Sequence, residues 1–357
     1  MISKLTKEDK IYVNMHVEQV FNSLFLDSSV YALRNGNEDN QLVEQKGIYQ
    51  RSLTQNTVKK LKDELINTKE KTIQIDMNFI DNIKNNVLIE FLKLLKECYQ
   101  KKKVIDLCNV NPTVWGAISA EKYDINIKEK YDPDKKNFFV SILTGNEDVQ
   151  DIEKLRENVK EGALVFEERL QNEIINCKEN HDRKSLTSRV KLSIYLNIKE
   201  IIKDYSFFCY CVYKLAIKLI DEKLFDKNNI DKNMDKDIFV HTMNSSLIGS
   251  IIAQLFCVDI ILVDHLGPYN KLYIDDLSKT IKKKKKYIVV SDVVCMGTEL
   301  SNAQSILNVF GANYIGCISF VHVVPVQDAD ENIYSLYSIT KDNNVIDYTI
   351  TTELCEK

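Results

Sequence analysis

Proline and glycine are scarce in this chain, with 4 and 10 in 357 residues, while asparagine and lysine abound. We read that as the bias of an AT-rich genome, without functional content. The five histidines, His16, His181, His241, His265 and His322, are dispersed and show no metal-ligand spacing, which removes a zinc-type centre from the candidates. No run approaches the roughly 20 apolar residues of a membrane-spanning helix. The opening segment MISKLTKEDKIYV is charged and lacks the apolar core of a signal peptide, so a cytoplasmic location without a membrane partner is expected. Nine cysteines are scattered, and the one close pair, Cys209 and Cys211, has no second pair at zinc spacing. They read as reduced thiols and not as a disulfide framework. The net charge of −4 provides no global attraction to nucleic acid or an anionic membrane.

What is present is an ordinary globular composition, 44% hydrophobic and 28% charged, with apolar mass enough for real cores. The length suggests two domains of about 150 residues each. Residues 1–145 mix helix and strand. Thr72–Met77 alternates like a half-buried strand, and Val87, Leu88, Phe91, Leu92 and Leu95 form one helical face. Val104–Cys108 is a second short apolar run, completing a strand–helix–strand unit. Over about residues 45–115 this pattern resembles STAS-like domains. Residues 146–180 are strongly helical in propensity, carry charge on most faces and contain one glycine, Gly162; they read as a connector. Residues 181–357 then alternate strands and helices. Expected strands are Val190–Leu196, Ile238–Val240, Ile260–Val263, Tyr287–Val290 and Tyr314–Val323. Expected helices run from about Ser246 to Phe256 and from about Leu300 to Phe310. Alternation of this kind predicts a parallel sheet covered on both faces. The fold class expected is therefore α/β, a C-terminal parallel-sheet domain with a separate α/β N-terminal domain.

In such sheets ligands bind where strands end and helices begin. The stronger junction is Tyr287–Leu300, where an apolar strand reaches Ser291 and Asp292, then Val293, Val294, Cys295, Met296, Gly297 and Thr298. Amides at a helix start attract phosphate, Gly297 permits close approach, and Asp292 can accept from vicinal ribose hydroxyls. Cys295 lies near a helix start, where a thiol becomes more acidic, but no histidine partner can be assigned to it. The second junction is Ile238–Ser246, where Thr242, Asn244, Ser245 and Ser246 are hydroxyl and amide donors and helix caps.

The segment Ser291–Thr298 resembles the ribose-5-phosphate loop of type I phosphoribosyltransferases, most closely the orotate form. Asp292 matches the second acid of that motif, Val293 and Val294 its apolar pair, and Gly297 with Thr298 its Gly-Thr. Ser291 stands where the first acid is usual, and Cys295 and Met296 stand in place of small residues. The resemblance spans about residues 183–325. It implies the phosphoribosyltransferase fold and a pyrophosphate-binding role for Thr242, Asn244, Ser245, Ser246 and His265. Lys271, in the segment Gly267–Leu272, would be the catalytic cation of a closing loop, and Arg189 with Lys191 would lie in the segment where the base is recognised. It further implies phosphoribosyl pyrophosphate or a nucleotide as ligand, with Mg²⁺ bound through the substrate, and a homo-oligomer. Three functions follow: transfer or cleavage at the anomeric carbon, non-catalytic nucleotide sensing, or, from architecture alone, the toxin-like effector of a retron-type antiphage system. A protein partner through the N-terminal domain is also expected. The lysine run Lys282–Lys286 reads as solvation of the next strand and not as a phosphate site.

Overall fold

The computed structural model describes residues 2–7, 10–15, 52–78, 80–121, 125–143, 151–179, 183–184, 190–192, 194–226, 230–263, 278–295, 297–323, 332–340 and 350–352. Among these, residues up to Leu170 form one compact unit and those from Gln171 a second.

The first unit is built on six strands, β1 (Ile2–Lys7), β2 (Lys10–Met15), β3 (Thr72–Asp76), β4 (Val104–Val110), β5 (Ile127–Asp132) and β6 (Asn137–Ile142), in the order β1-β2-β3-β4-β6-β5. The centre β2-β3-β4 is parallel, while β1, β5 and β6 pair antiparallel at the margins. The helices are α1 (Gln55–Leu65), α2 (Asn85–Gln100), α3 (Pro112–Ala120) and α4 (Ile152–Asn176). Thr54 caps α1 by accepting from the Thr57 amide, and Asn111 caps α3 just before a proline whose missing N–H costs nothing there. The expected stripe on α2 is buried in full.

β3 departs from the half-buried expectation, because Ile73, Gln74 and Ile75 are all buried. Both faces of the sheet are covered: helices supply one core, and Leu155 of α4 packs with Cys108 and Phe139 in another. Up to Leu170, then, α4 belongs to the first unit and is more than the connector its charge pattern suggested. Two contacts fix it there. Gly162 lies under the Tyr12 ring, where an added Cβ would stand 3.0 Å from a ring carbon. Arg156 donates to the buried Asp132 from Nε at 2.9 Å and reaches Asp134 as well. That guanidinium holds the Asp132 carboxyl below its usual range.

The second unit centres on five parallel strands, β7 (Lys236–Val240), β8 (Asp259–Leu262), β9 (Lys286–Val294), β10 (Asn313–Val323) and β11 (Ile333–Ile339), ordered β8-β7-β9-β10-β11. Helices α5 (Tyr205–Asp221), α6 (Met243–Phe256) and α7 (Thr298–Val309) accompany them. The apolar runs of β7 and β9 are almost fully buried, as parallel strands covered on both faces must be. α6 packs against Ile238, Val240 and Ile260, and Phe208 of α5 stacks on Phe320. α7 places Leu300, Ala303 and Leu307 against the alternate residues Phe239, Ile261, Val289 and Cys317. By strand alternation, α6 and α7 therefore cover opposite faces.

The strand expected over Val190–Leu196 is two pieces. Val190–Leu192 pairs with Arg183–Lys184 and Ile350–Thr352, whereas Tyr195–Leu196 pairs with Lys178–Glu179, so partners in two different sheets divide the run. The lysine run has a definite use at the amino end of the main sheet. Lys285 pairs with the buried Asp237 at 3.0 Å, Lys286 with Asp235 at 2.6 Å and Lys282 with Asp259 at 3.7 Å.

Gly249 is where α6 comes closest to the sheet: an added Cβ would lie 2.6 Å from a Val240 methyl, and Val240 is fully buried. Gly249→Ala gains about 1 kcal/mol of helix propensity, but overpacking a tight core costs about 1–3 kcal/mol. Urea denaturation of the variant should show a net loss of stability, with the slope unchanged.

Candidate functional site

In the second unit β7 and β8 are adjacent, yet β9 pairs on the other side of β7. The chain thus runs outward in opposite directions from the β7–β9 boundary. Connections leave to opposite faces at that point and open a crevice at the carboxyl ends of the two strands, the general ligand position of open parallel sheets. Two polar bridges span it. Asn244, in the first turn of α6, donates from Nδ2 to Oδ2 of Asp292 on β9 at 2.8 Å. Beside it, Nε2 of His241, just past β7, meets Oε2 of Glu299 in the first turn of α7 at 2.9 Å.

β9 is longer than its sequence indicated. Ser291, Val293 and Val294 continue the parallel ladder against Ser319, Val321 and His322 of the eleven-residue β10. Ser291 to Val294 are accordingly strand residues and not part of a loop. Ser291 is buried and donates to the Val293 carbonyl at 3.2 Å, which turns its hydroxyl inward. Asp292 remains half-buried. Gly297 caps α7 at φ +68°, and a Cβ there would meet nothing within 4 Å. The glycine is required by the left-handed backbone and not by crowding, and it leaves open space at the start of α7. The first-turn amides of α7 have no carbonyl partner within the helix, and the helix dipole is behind them.

α6 begins three residues before the expected Ser246. Thr242 is the cap, accepting from the Ser245 amide at 3.1 Å, and Ser245 closes a capping box by accepting from the Thr242 amide at 3.0 Å. Ser245 Oγ donates back to the Thr242 carbonyl at 3.0 Å, as Ser246 Oγ does at 2.7 Å. Of the four pyrophosphate candidates on this junction, three therefore spend their hydroxyls inside the cap, and Asn244 faces Asp292. His265, Lys271, Met296 and Arg189 lie outside the described residues, and of Lys191 only the backbone is described.

The His241–Glu299 pair was not legible beforehand, since its members are 58 positions apart and neither belongs to a motif. His241 is almost fully buried, and its Nδ1 has no partner among the described residues. The histidine's hydrogen bond holds the Glu299 carboxyl below the usual glutamate range, against the opposing effect of burial. A related polar row runs across the sheet, where Ser291, Ser319 and Ser335 are in register and all buried. Among the described residues no three His, Cys, Asp or Glu side chains converge on a metal position. No described helix is long and apolar enough to cross a membrane.

No protein-family model matches the sequence, and neither does any curated protein. Similar solved structures do exist. Adenine phosphoribosyltransferase from Thermoanaerobacter pseudethanolicus is 16% identical with a TM-score of 0.32, over 41% of this chain and 88% of that one. Orotate phosphoribosyltransferase from Aeropyrum pernix is 15% identical with a TM-score of 0.34, over 48% and 94%. Adenine phosphoribosyltransferase from Saccharomyces cerevisiae is 13% identical with a TM-score of 0.35, over 47% and 99%. None of these likenesses bears on the STAS-like resemblance of the first unit.

A carboxylate whose pKa is depressed by folding stabilises the native state above its unfolded pKa, about 4.3 for glutamate. That contribution disappears as the pH falls through the lower folded value. Glu299→Gln should therefore be less stable than the parent at neutral pH. The difference should narrow progressively below about pH 4, as followed by thermal melting across a pH series.

Proposed function

We propose that the second unit binds a 5-phosphorylated ribose, as phosphoribosyl pyrophosphate or a nucleotide, in the crevice between β7 and β9. The observation that carries this reading is the placement of the half-buried Asp292, held by Asn244 at the strand-order reversal, next to the open helix start at Gly297. A carboxylate suits vicinal hydroxyls, and a helix N-terminus with a glycine cap suits the 5-phosphate of the same sugar. Sequence resemblance to the phosphoribosyltransferase loop at Asp292, Val293, Val294, Gly297 and Thr298 points the same way.

In this reading Asp292 takes the ribose hydroxyls, and the amides at Gly297 and Thr298 take the 5-phosphate. First-turn amides of α6 take the pyrophosphate, their neighbouring hydroxyls being committed to the cap. With Asp292 as the carboxylate for the sugar, Mg²⁺ would be carried by substrate oxygens and water, as that ion commonly is. Transfer would break the bond from the anomeric carbon to pyrophosphate and form one to a base nitrogen. The positive charge that develops on the ribose calls for a held pyrophosphate and excluded water. Lys271 is proposed as the cation that closes over the leaving group.

A second reading, nucleotide sensing without turnover, is favoured by one observation. The hydroxyls of Ser291, Thr242, Ser245 and Ser246 are all engaged by protein groups, so the site offers fewer side-chain donors to a developing charge.

Isothermal titration of phosphoribosyl pyrophosphate with Mg²⁺ into the wild type and Asp292→Ala tests the site. Binding by the wild type that falls about tenfold or more in the variant is expected for loss of a charged hydrogen-bond acceptor. Equal affinities would remove Asp292 from the site. Pyrophosphate release with a base present separates the transferase from the sensor.

A further inference from the structure

The proposed site has a single strand carboxylate where a vicinal diol offers two hydroxyls. Ser291, the neighbouring strand residue, cannot supply the second acceptor, because it is buried and its hydroxyl is directed to the Val293 carbonyl. The other side of the crevice does carry a suitable group. A carboxylate oxygen only accepts, so the atom that Asn244 places 2.8 Å from Asp292 Oδ2 must be the donor Nδ2. The orientation of the amide is thereby fixed, and its Oδ1 is directed away from that contact. Neither Asn244 Oδ1 nor Asp292 Oδ1 has a hydrogen-bond partner among the described residues, and both residues are half-buried at the crevice. One donated bond thus links two residues that each keep one acceptor oxygen, one on either flank of the strand-order reversal.

Resting on the ribose-phosphate reading, we propose that Asn244 and Asp292 act as a paired acceptor for a cis-diol. Asn244 then supplies the second acceptor, so that the site selects ribose over 2-deoxyribose phosphates. Asn244 does this in two ways. It fixes the Asp292 carboxylate by donating to it, and it presents its own carbonyl to the second hydroxyl. An aspartate at this position could not do the first without sharing a proton, because two carboxylates at such a distance repel. A 2-deoxy sugar lacks one of the two donors and leaves an acceptor unpaired in a partly desolvated site. Sites built to hydrogen-bond a hydroxyl reject analogues without it for that reason.

The test is calorimetric titration of the full chain with ribose 5-phosphate, 2-deoxyribose 5-phosphate and inorganic phosphate, comparing wild type, Asn244→Ala and Asn244→Asp. The wild type should bind ribose 5-phosphate about tenfold or more tightly than the deoxy sugar, the worth of a hydrogen bond to a charged or fixed acceptor. Asn244→Ala should lower that ratio towards one, because ribose 5-phosphate loses more affinity than the deoxy sugar does. Asn244→Asp should lose ribose 5-phosphate affinity at neutral pH. A wild type that binds both sugars equally overturns the diol pair and leaves the phosphate cradle standing. A ratio unchanged in Asn244→Ala overturns the role of Asn244 alone. Absence of binding by either sugar phosphate overturns this proposal together with the ribose-phosphate reading beneath it. Unchanged melting temperatures in the two variants exclude misfolding as the source of any loss, and Asn244, half-buried in a first helical turn, is a position where that is expected.

Discussion

The second unit depends on the reversal of strand order between β7 and β9. Parallel strands need long crossovers, and right-handed crossovers travelling in opposite directions must lie on opposite faces of the sheet. α6 and α7 accordingly cover opposite faces, and their N-termini diverge from adjacent strand ends. Both polar bridges across the crevice follow from that geometry. Asn244 and His241 come from the β7 side, Asp292 and Glu299 from the β9 side, and each bridge joins one member of either set. Residues about 50 positions apart in the chain are brought within hydrogen-bonding distance because the intervening strand, β8, is placed on the outer flank of β7.

The two helix starts that frame the crevice solve the same physical problem differently. α6 satisfies two amides at its start, those of Thr242 and Ser245, with its own side chains through the Thr242–Ser245 capping box. α7 begins on a left-handed glycine with no side-chain cap, and its first-turn glutamate is drawn to His241. An uncapped, open helix start has a demand for acceptors that a ligand phosphate can meet, whereas a capped one has largely met that demand already.

Polar groups buried away from the crevice are settled by pairing. Asp237 is matched by Lys285 and Asp132 by Arg156, each at the margin of its sheet. His241 Nδ1 and Ser319 Oγ differ in having no partner among the described residues, and both lie in the second unit.

Much of the architecture was legible in the chain itself. Period-two and continuous apolar runs identified β3, β4, β7, β8, β9 and β10, and helical spacing identified the buried stripe of α2, because burial on one or both faces writes itself directly into residue order. Gly297 marked the turn that precedes α7 by local backbone chemistry alone, although the helix starts at Thr298, two residues before the expected Leu300. Element ends were less legible. β9 extends to Val294 only because β10 is long enough to pair with it, and α6 starts at Met243 because Thr242 and Ser245 find each other across one turn. Strand order, the Asn244–Asp292 bridge and the His241–Glu299 bridge were decided by tertiary structure. Contacts between residues about 50 positions apart depend on which strands become neighbours, and the energy of that choice lies in sheet pairing and burial and not in any local segment.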